Sequence, residues 1–136
     1  MKIEQLMMRS VKVCRESDTL NVAAQLMWEN DCGCVPVISA DGDGSVVGIV
    51  TDRDIAMGAY TQGKRLFEIP VTVAMARQVV TCRVGDDVKQ VEQLMREKQV
   101  RRIPVVDAYN CVQGIMSLHD LALEADRERG AAHKEV

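Results

Sequence analysis

Thr51 and Asp54 stand three residues apart, and Ser117 and Asp120 repeat the same hydroxyl-x-x-acid spacing. Each pair falls where an apolar, strand-like run passes into a helical pattern. That is the arrangement of a capping box, in which the hydroxyl accepts from a backbone N–H of the first turn and the acid lies at the positive end of the helix dipole. This role alone accounts for the residue types. A capped helix start also offers N–H groups to an anion, so capping and ligand binding are compatible. A second candidate is Arg101-Arg102, directly before Ile103-Pro104. Guanidinium groups take phosphate oxygens in bidentate, charge-assisted pairs; the plainer reading is two solvated arginines at a strand entrance.

Other reactive side chains carry less. Cys32-Gly33-Cys34 invites a metal reading, but a structural zinc site wants four ligands in spaced pairs. The chain has five cysteines and two histidines, with no second closely spaced cysteine pair. The cysteine count is odd and nothing points to an oxidising compartment, so reduced, buried thiols are expected rather than disulfides or a metal. His119 lies between Ser117 and Asp120 without a nucleophile assigned to it, and no catalytic set emerges. Trp28 follows an apolar helical position and reads as packing or a dimer contact. The methionines read as core or interface.

The elements that position these residues come in two copies. Aligning Pro36 with Pro104, a shift of 68, places Cys14 on Cys82, Asp18 on Asp86, Gln25 on Gln93, Leu26-Met27 on Leu94-Met95 and Glu29 on Glu97. Past a turn of unequal length, Gly48-Ile49 falls on Gly114-Ile115, Thr51 on Ser117 and Asp54 on Asp120. Arg101 and Arg102 fall on Gly33 and Cys34, which are small and uncharged. Each copy reads as a short extended run, then a helix starting at Asp18-Thr19 or Asp86-Asp87, where side-chain oxygens can accept from free N–H groups. Apolar positions at helical spacing (Leu20, Ala23, Ala24, Met27; Val88, Val91, Leu94, Met95) carry each helix to about Asn30 or Gln99. Strands Val35–Ile38 and Val46–Thr51, or Ile103–Val106 and Val112–Ser117, follow with a second helix behind them. The fold class is α/β, with two β-α-β-β-α repeats whose bare sheet faces are expected to pack sheet to sheet with pseudo-two-fold symmetry. The expected organisation is repeat 1 over 1–60, a linker over 61–72 bearing the solvated pair Lys64-Arg65, repeat 2 over 73–129, and a frayed polar tail over 130–136.

Val35-Pro-Val-Ile with Gly48-Ile-Val-Thr-Asp-Arg-Asp54, repeated as Val100-Arg-Arg-Ile-Pro-Val-Val-Asp107 with Gly114-Ile-Met-Ser-Leu-His-Asp120, resembles a pair of cystathionine β-synthase (CBS) domains, from about Met7 to Ala122. The resemblance implies a Bateman module: two repeats that often sense adenosine nucleotides and often dimerise through helices, frequently beside an enzyme or channel that they regulate. It further implies that Thr51, Asp54, Ser117 and Asp120 face ribose, with the aspartates on its hydroxyls. Arg101 and Arg102 would then face phosphate, and Cys32-Gly33-Cys34 would contribute to a base pocket in a cleft between the repeats.

Composition narrows the alternatives. A hydrophobic fraction of 47% with 27% charged residues is ordinary for a globular chain. A net charge of −3 gives no electrostatic reason to bind nucleic acid. No apolar run approaches the roughly 20 residues that span a bilayer, and the amino terminus lacks a signal peptide's pattern, which points to the cytoplasm. The sequence therefore reads as a non-catalytic regulatory module. The resemblance implies that it requires no cofactor, takes an adenosine nucleotide (AMP, ADP or ATP-like) as ligand, forms a homodimer and regulates an enzyme or transporter. A ligand-free structural or dimerisation adaptor is the other reading.

Overall fold

In each repeat one strand buried on successive residues, a neighbour with alternating burial and a three-to-four-residue apolar period along the helix build a separate core. The computed structural model describes residues 1–134. It divides into two compact units: residues 10–79 with 108–112, and residues 1–9 with 80–107 and the chain from 113 onward.

In the first-repeat unit, β1 (Cys14–Arg15) runs parallel to β2 (Cys34–Ile38), which pairs antiparallel with β3 (Val46–Thr51), giving the order β1-β2-β3. α1 (Leu20–Asn30) makes the crossover and α2 (Asp52–Gln62) follows β3. Leu20, Ala23 and Met27 of α1 meet Cys14, Val35, Val37 and Val50 in one apolar cluster. The second-repeat unit repeats the plan with β4 (Cys82–Arg83), α4 (Val88–Lys98), β5 (Arg102–Val106), β6 (Val112–Ser117) and α5 (Leu118–Lys134), its sheet ordered β4-β5-β6. Cys82, Val91, Met95, Ile103, Val105 and Met116 form its core.

The helix starts differ between the copies. Asp87 forms a capping box with Gln90 at the start of α4, as expected, its N–H donating to Gln90 Oε1 at 3.2 Å, whereas Thr19 before α1 makes no side-chain cap bond. The Asp18 carboxylate accepts from the Arg15 backbone N–H at 2.8 Å, and Asp86 does the same for Arg83. Both acids thus close the turn that leads out of the strand, a local bond of the kind short acids make in turns. α1 and α4 end where Asp31 and Gln99 take left-handed φ of 49° and 54°.

Each core is completed from outside its own repeat. Residues 66–79, including α3 (Val71–Ala74), pack on the first repeat: Leu20 N–H donates to Ile69 O and Val71 N–H to Asp18 O, and Ile49 and Ala76 exchange both backbone bonds. Residues 1–9 do the same for the second repeat. Val88 N–H donates to Met1 O and Ile3 N–H to Asp86 O, and Ile115 and Met8 exchange both bonds. Two residues of the expected linker, Ile69 and Val71, are therefore buried in the core of the first-repeat unit, as Ile3 is in the other. These straps dictate two glycines. A Cβ on Gly48 would meet the Met75 sulfur at 2.5 Å, and one on Gly114 would meet Met8 O at 2.7 Å. Lys64 and Arg65 are exposed, with the Arg65 guanidinium 5.9 Å from the Phe67 ring centre. α5 continues to Lys134, into the segment expected to fray from 130; residues 135 and 136 lie outside the described residues.

Candidate functional site

Antiparallel pairing brings the end of β3 beside the start of β2, and this creates the first group of candidate residues. Thr51 is paired with Cys34, and Asp52 N–H donates to Gly33 O at 3.0 Å. Thr51 and Asp54 form a complete capping box: Asp54 N–H donates to Thr51 Oγ1 at 3.2 Å, and Thr51 N–H returns to the Asp54 carboxylate at 2.9 Å. Gly33, Cys34, Thr51 and Asp54 are thus assembled at the N-terminus of α2. Cys34 is buried. Cys32 is half-buried, its N–H donating to Met27 O as α1 ends, so it lies under the turn.

The second group is built alike but charged differently. Leu118 N–H donates to Arg101 O at 2.8 Å, the counterpart of the Asp52–Gly33 bond, so the strand entrance of β5 abuts the N-terminus of α5. Asp120 N–H donates to Ser117 Oγ at 3.1 Å. The return bond of the first copy is missing: among the described residues the Asp120 carboxylate has no hydrogen-bond partner. Ser117 and Asp120 are half-buried, and Arg101 and Arg102 are exposed with no ion-pair partner among the described residues. A half-buried carboxylate without a partner, next to a hydroxyl that accepts from Asp120 N–H and two guanidiniums without ion-pair partners, can take a polyol hydroxyl pair and an anion together.

The remaining candidates do different work. The buried Cys14 and Cys82 thiols are pushed up to about 12 by burial, with Asp18 and Asp86 adding to the shift, which makes them poor nucleophiles. His119 is exposed. Trp28 is 88% exposed, so it packs on nothing within its own unit. Among the described residues no group of three or more His, Cys, Asp or Glu could hold a metal ion. No helix of the described residues is long and apolar enough to cross a membrane. A feature the sequence did not announce is a shallow depression of about 380 Å³ along α4, lined by Asp86, Gln90, Val91, Gln93, Leu94 and Glu97. Its acids make it a poor host for an anion.

Known proteins share this architecture. The model of the CBS domain matches residues 3–58 and again 68–126. The CBS domain-containing protein YhcV of Bacillus subtilis is 35% identical over 121 residues, covering 89% of this chain and 83% of the relative. Among solved structures, the CBS domain pair of protein MJ0100, in complex with 5′-methylthioadenosine and S-adenosyl-L-methionine, superposes with a TM-score of 0.83 at 23% identity, covering 94% of this chain and 98% of that one. CBSX2 in complex with AMP gives 0.79 at 22% identity, covering 94% and 98%. At these identities the two solved structures share the fold with this chain.

Proposed function

The chain belongs to the CBS-domain family as a tandem pair, and on that premise we propose that it is a non-catalytic sensor of adenosine nucleotides. Its ligand is held by Ser117, Asp120, Arg101 and Arg102. The observation that carries this reading is the contrast between the two hydroxyl–acid pairs. Asp54 spends its carboxylate on Thr51 N–H, whereas Asp120, at the same place in its repeat, leaves its carboxylate open beside two unpaired arginines. A half-buried carboxylate without a partner costs stability unless something else satisfies it. The two hydroxyls of a ribose fit Asp120 and the phosphate fits the arginines. The adenosine ligands of MJ0100 and CBSX2 support the same ligand class.

The first-repeat group (Cys32, Gly33, Cys34, Thr51 and Asp54) has no cation where the arginines would stand, and is the weaker place for a phosphate. Sensing then works by population shift: the ligand favours one arrangement of the module and a regulated enzyme or transporter reads it. The assembly in this proposal is a cytoplasmic homodimer that buries exposed aromatics such as Trp28 and Tyr60, 88% and 81% exposed in the single chain.

Calorimetry with AMP and adenosine on the wild type and on the double variant Arg101→Ala/Arg102→Ala tests the proposal. One tight AMP site per chain, lost in the double variant while adenosine is much less affected, is the expected result. Two equal sites, or unchanged AMP affinity in the double variant, contradicts it. If no adenosine ligand binds or raises the melting temperature, the adaptor reading replaces it.

A further inference from the structure

The end of α4 carries charge that the end of α1 lacks. α4 closes at Lys98, Gln99 turns through left-handed φ, and β5 begins at Arg102. Lys98, Arg101 and Arg102 are all exposed, and among the described residues none of the three side chains has a hydrogen-bond or ion-pair partner. Arg96, two residues before Lys98, is already engaged by Glu92. At the equivalent end of α1 the residues are Asn30, Gly33 and Cys34, around the same left-handed turn at Asp31. The backbone geometry is shared and the three cations are not.

A lysine in the last turn of a helix complements the negative end of the dipole. That accounts for Lys98 and leaves the two arginines beyond the helix unexplained. The bond from Leu118 N–H to Arg101 O ties this turn to the N-terminus of α5, where Ser117 and Asp120 stand. Lys98 is three residues before Arg101, so their Cα atoms are at most about 11 Å apart. The cations thus form a short strip along the turn that the Leu118–Arg101 bond ties to the helix start of the hydroxyl–acid pair. Two guanidiniums are enough to clamp one phosphate. The third cation, a mobile point charge on a long stem, is surplus to a monophosphate.

We propose that this strip reads phosphate number, so that the second-repeat site takes a nucleoside di- or triphosphate in preference to a monophosphate, with Lys98 on the terminal phosphate. The inference rests on the nucleotide reading above and specifies the charge of the ligand. Calorimetry with AMP, ADP and ATP, on the wild-type chain and on Lys98→Gln and Lys98→Arg, decides it. Affinity is expected to rise about ten-fold or more from AMP to ATP in the wild type, and more steeply at low salt. That ATP-to-AMP ratio should collapse toward one in Lys98→Gln and return in Lys98→Arg. A helix-dipole role would instead shift the melting temperature of Lys98→Gln and leave the ratio where it was, which overturns the inference. Equal binding of AMP and ATP by the wild type also overturns it, while leaving the nucleotide reading in place; no binding of any of the three removes both.

Discussion

Asp54 and Asp120 occupy the same place in their repeats and carry different loads. The spacing that marks both as helix-start acids was legible in the sequence, as was the placing of Arg101 and Arg102 at the strand entrance of the second copy alone. What spacing cannot encode is whether the acid's return bond closes. That depends on the local geometry at the junction of strand and helix, and there the two copies diverge. Asp54 is spent on its cap, whereas the Asp120 carboxylate has no hydrogen-bond partner among the described residues. Replacing Asp54 by alanine should lower stability by about 1 kcal/mol, the usual worth of a helix cap. Asp120→Asn should leave the melting temperature of the ligand-free chain nearly unchanged and weaken nucleotide binding by about ten-fold, or ~1.4 kcal/mol. Paired thermal melts and titrations measure both. A large stability loss in Asp120→Asn with intact affinity would return Asp120 to a capping role.

At the scale of elements, the strands, the helices and the duplication followed from periodicity and from the shift of 68, and α1 ends at Asn30 as its pattern predicts. The straps did not follow. Ile3 matches Val71, Met7 matches Met75 and Arg9 matches Arg77 at that same shift. Yet three matches in a polar-flanked stretch look like a linker until the sheet edge that receives them is known. Asp87 caps α4 as expected, but the role of Asp18 and Asp86 was not legible for a related reason: an acid before a helix can bond forward to the helix or back to the strand, and only the backbone turn decides. The straps make a strong demand on Gly114. An alanine there drives a Cβ against the Met8 carbonyl, a backbone atom with nowhere to go. Gly114→Ala should cost about 1–3 kcal/mol, as overpacking does. Gly48→Ala should cost less, because its nearest neighbour is the flexible end of Met75. Gly85→Ala, with no atom within 4 Å of its Cβ, is the control and should be neutral. Denaturant melts of the three variants give the order directly, and a Gly114→Ala chain as stable as Gly85→Ala would show that Met8 does not hold the strap as described.

For the whole molecule, composition and repetition together gave two aliphatic cores, almost free of aromatics, each with one cysteine at the same place. The sequence suggested reduced thiols, and the structure adds their depth: Cys14 is 1% and Cys82 4% exposed. Burial was expected of the thiols in general, but which of them lie deepest was not readable, because a two-residue strand such as β1 or β4 shows no alternation to reveal which face its cysteine takes. The consequence is a pH dependence of stability. Both thiols are held at about 12 in the folded chain, against an ordinary value of 9.0, because burial disfavours the thiolate, with Asp18 and Asp86 adding to it. A raised folded value means that the folded chain keeps its thiol protons when the unfolded chain has released them. Their contribution is therefore fully present below about pH 9 and falls as pH rises from there toward 12, the sign required when the folded state binds more protons. Each thiol contributes a slope approaching 1.4 kcal/mol per pH unit inside that window. Melts of the wild type and of Cys14→Ala/Cys82→Ala between pH 8 and 10.5 should show stability falling more steeply in the wild type above pH 9, with the two curves parallel below it. Curves that stay parallel throughout would mean that the two thiols ionise in the folded chain as they do in water, and would contradict their place in the cores.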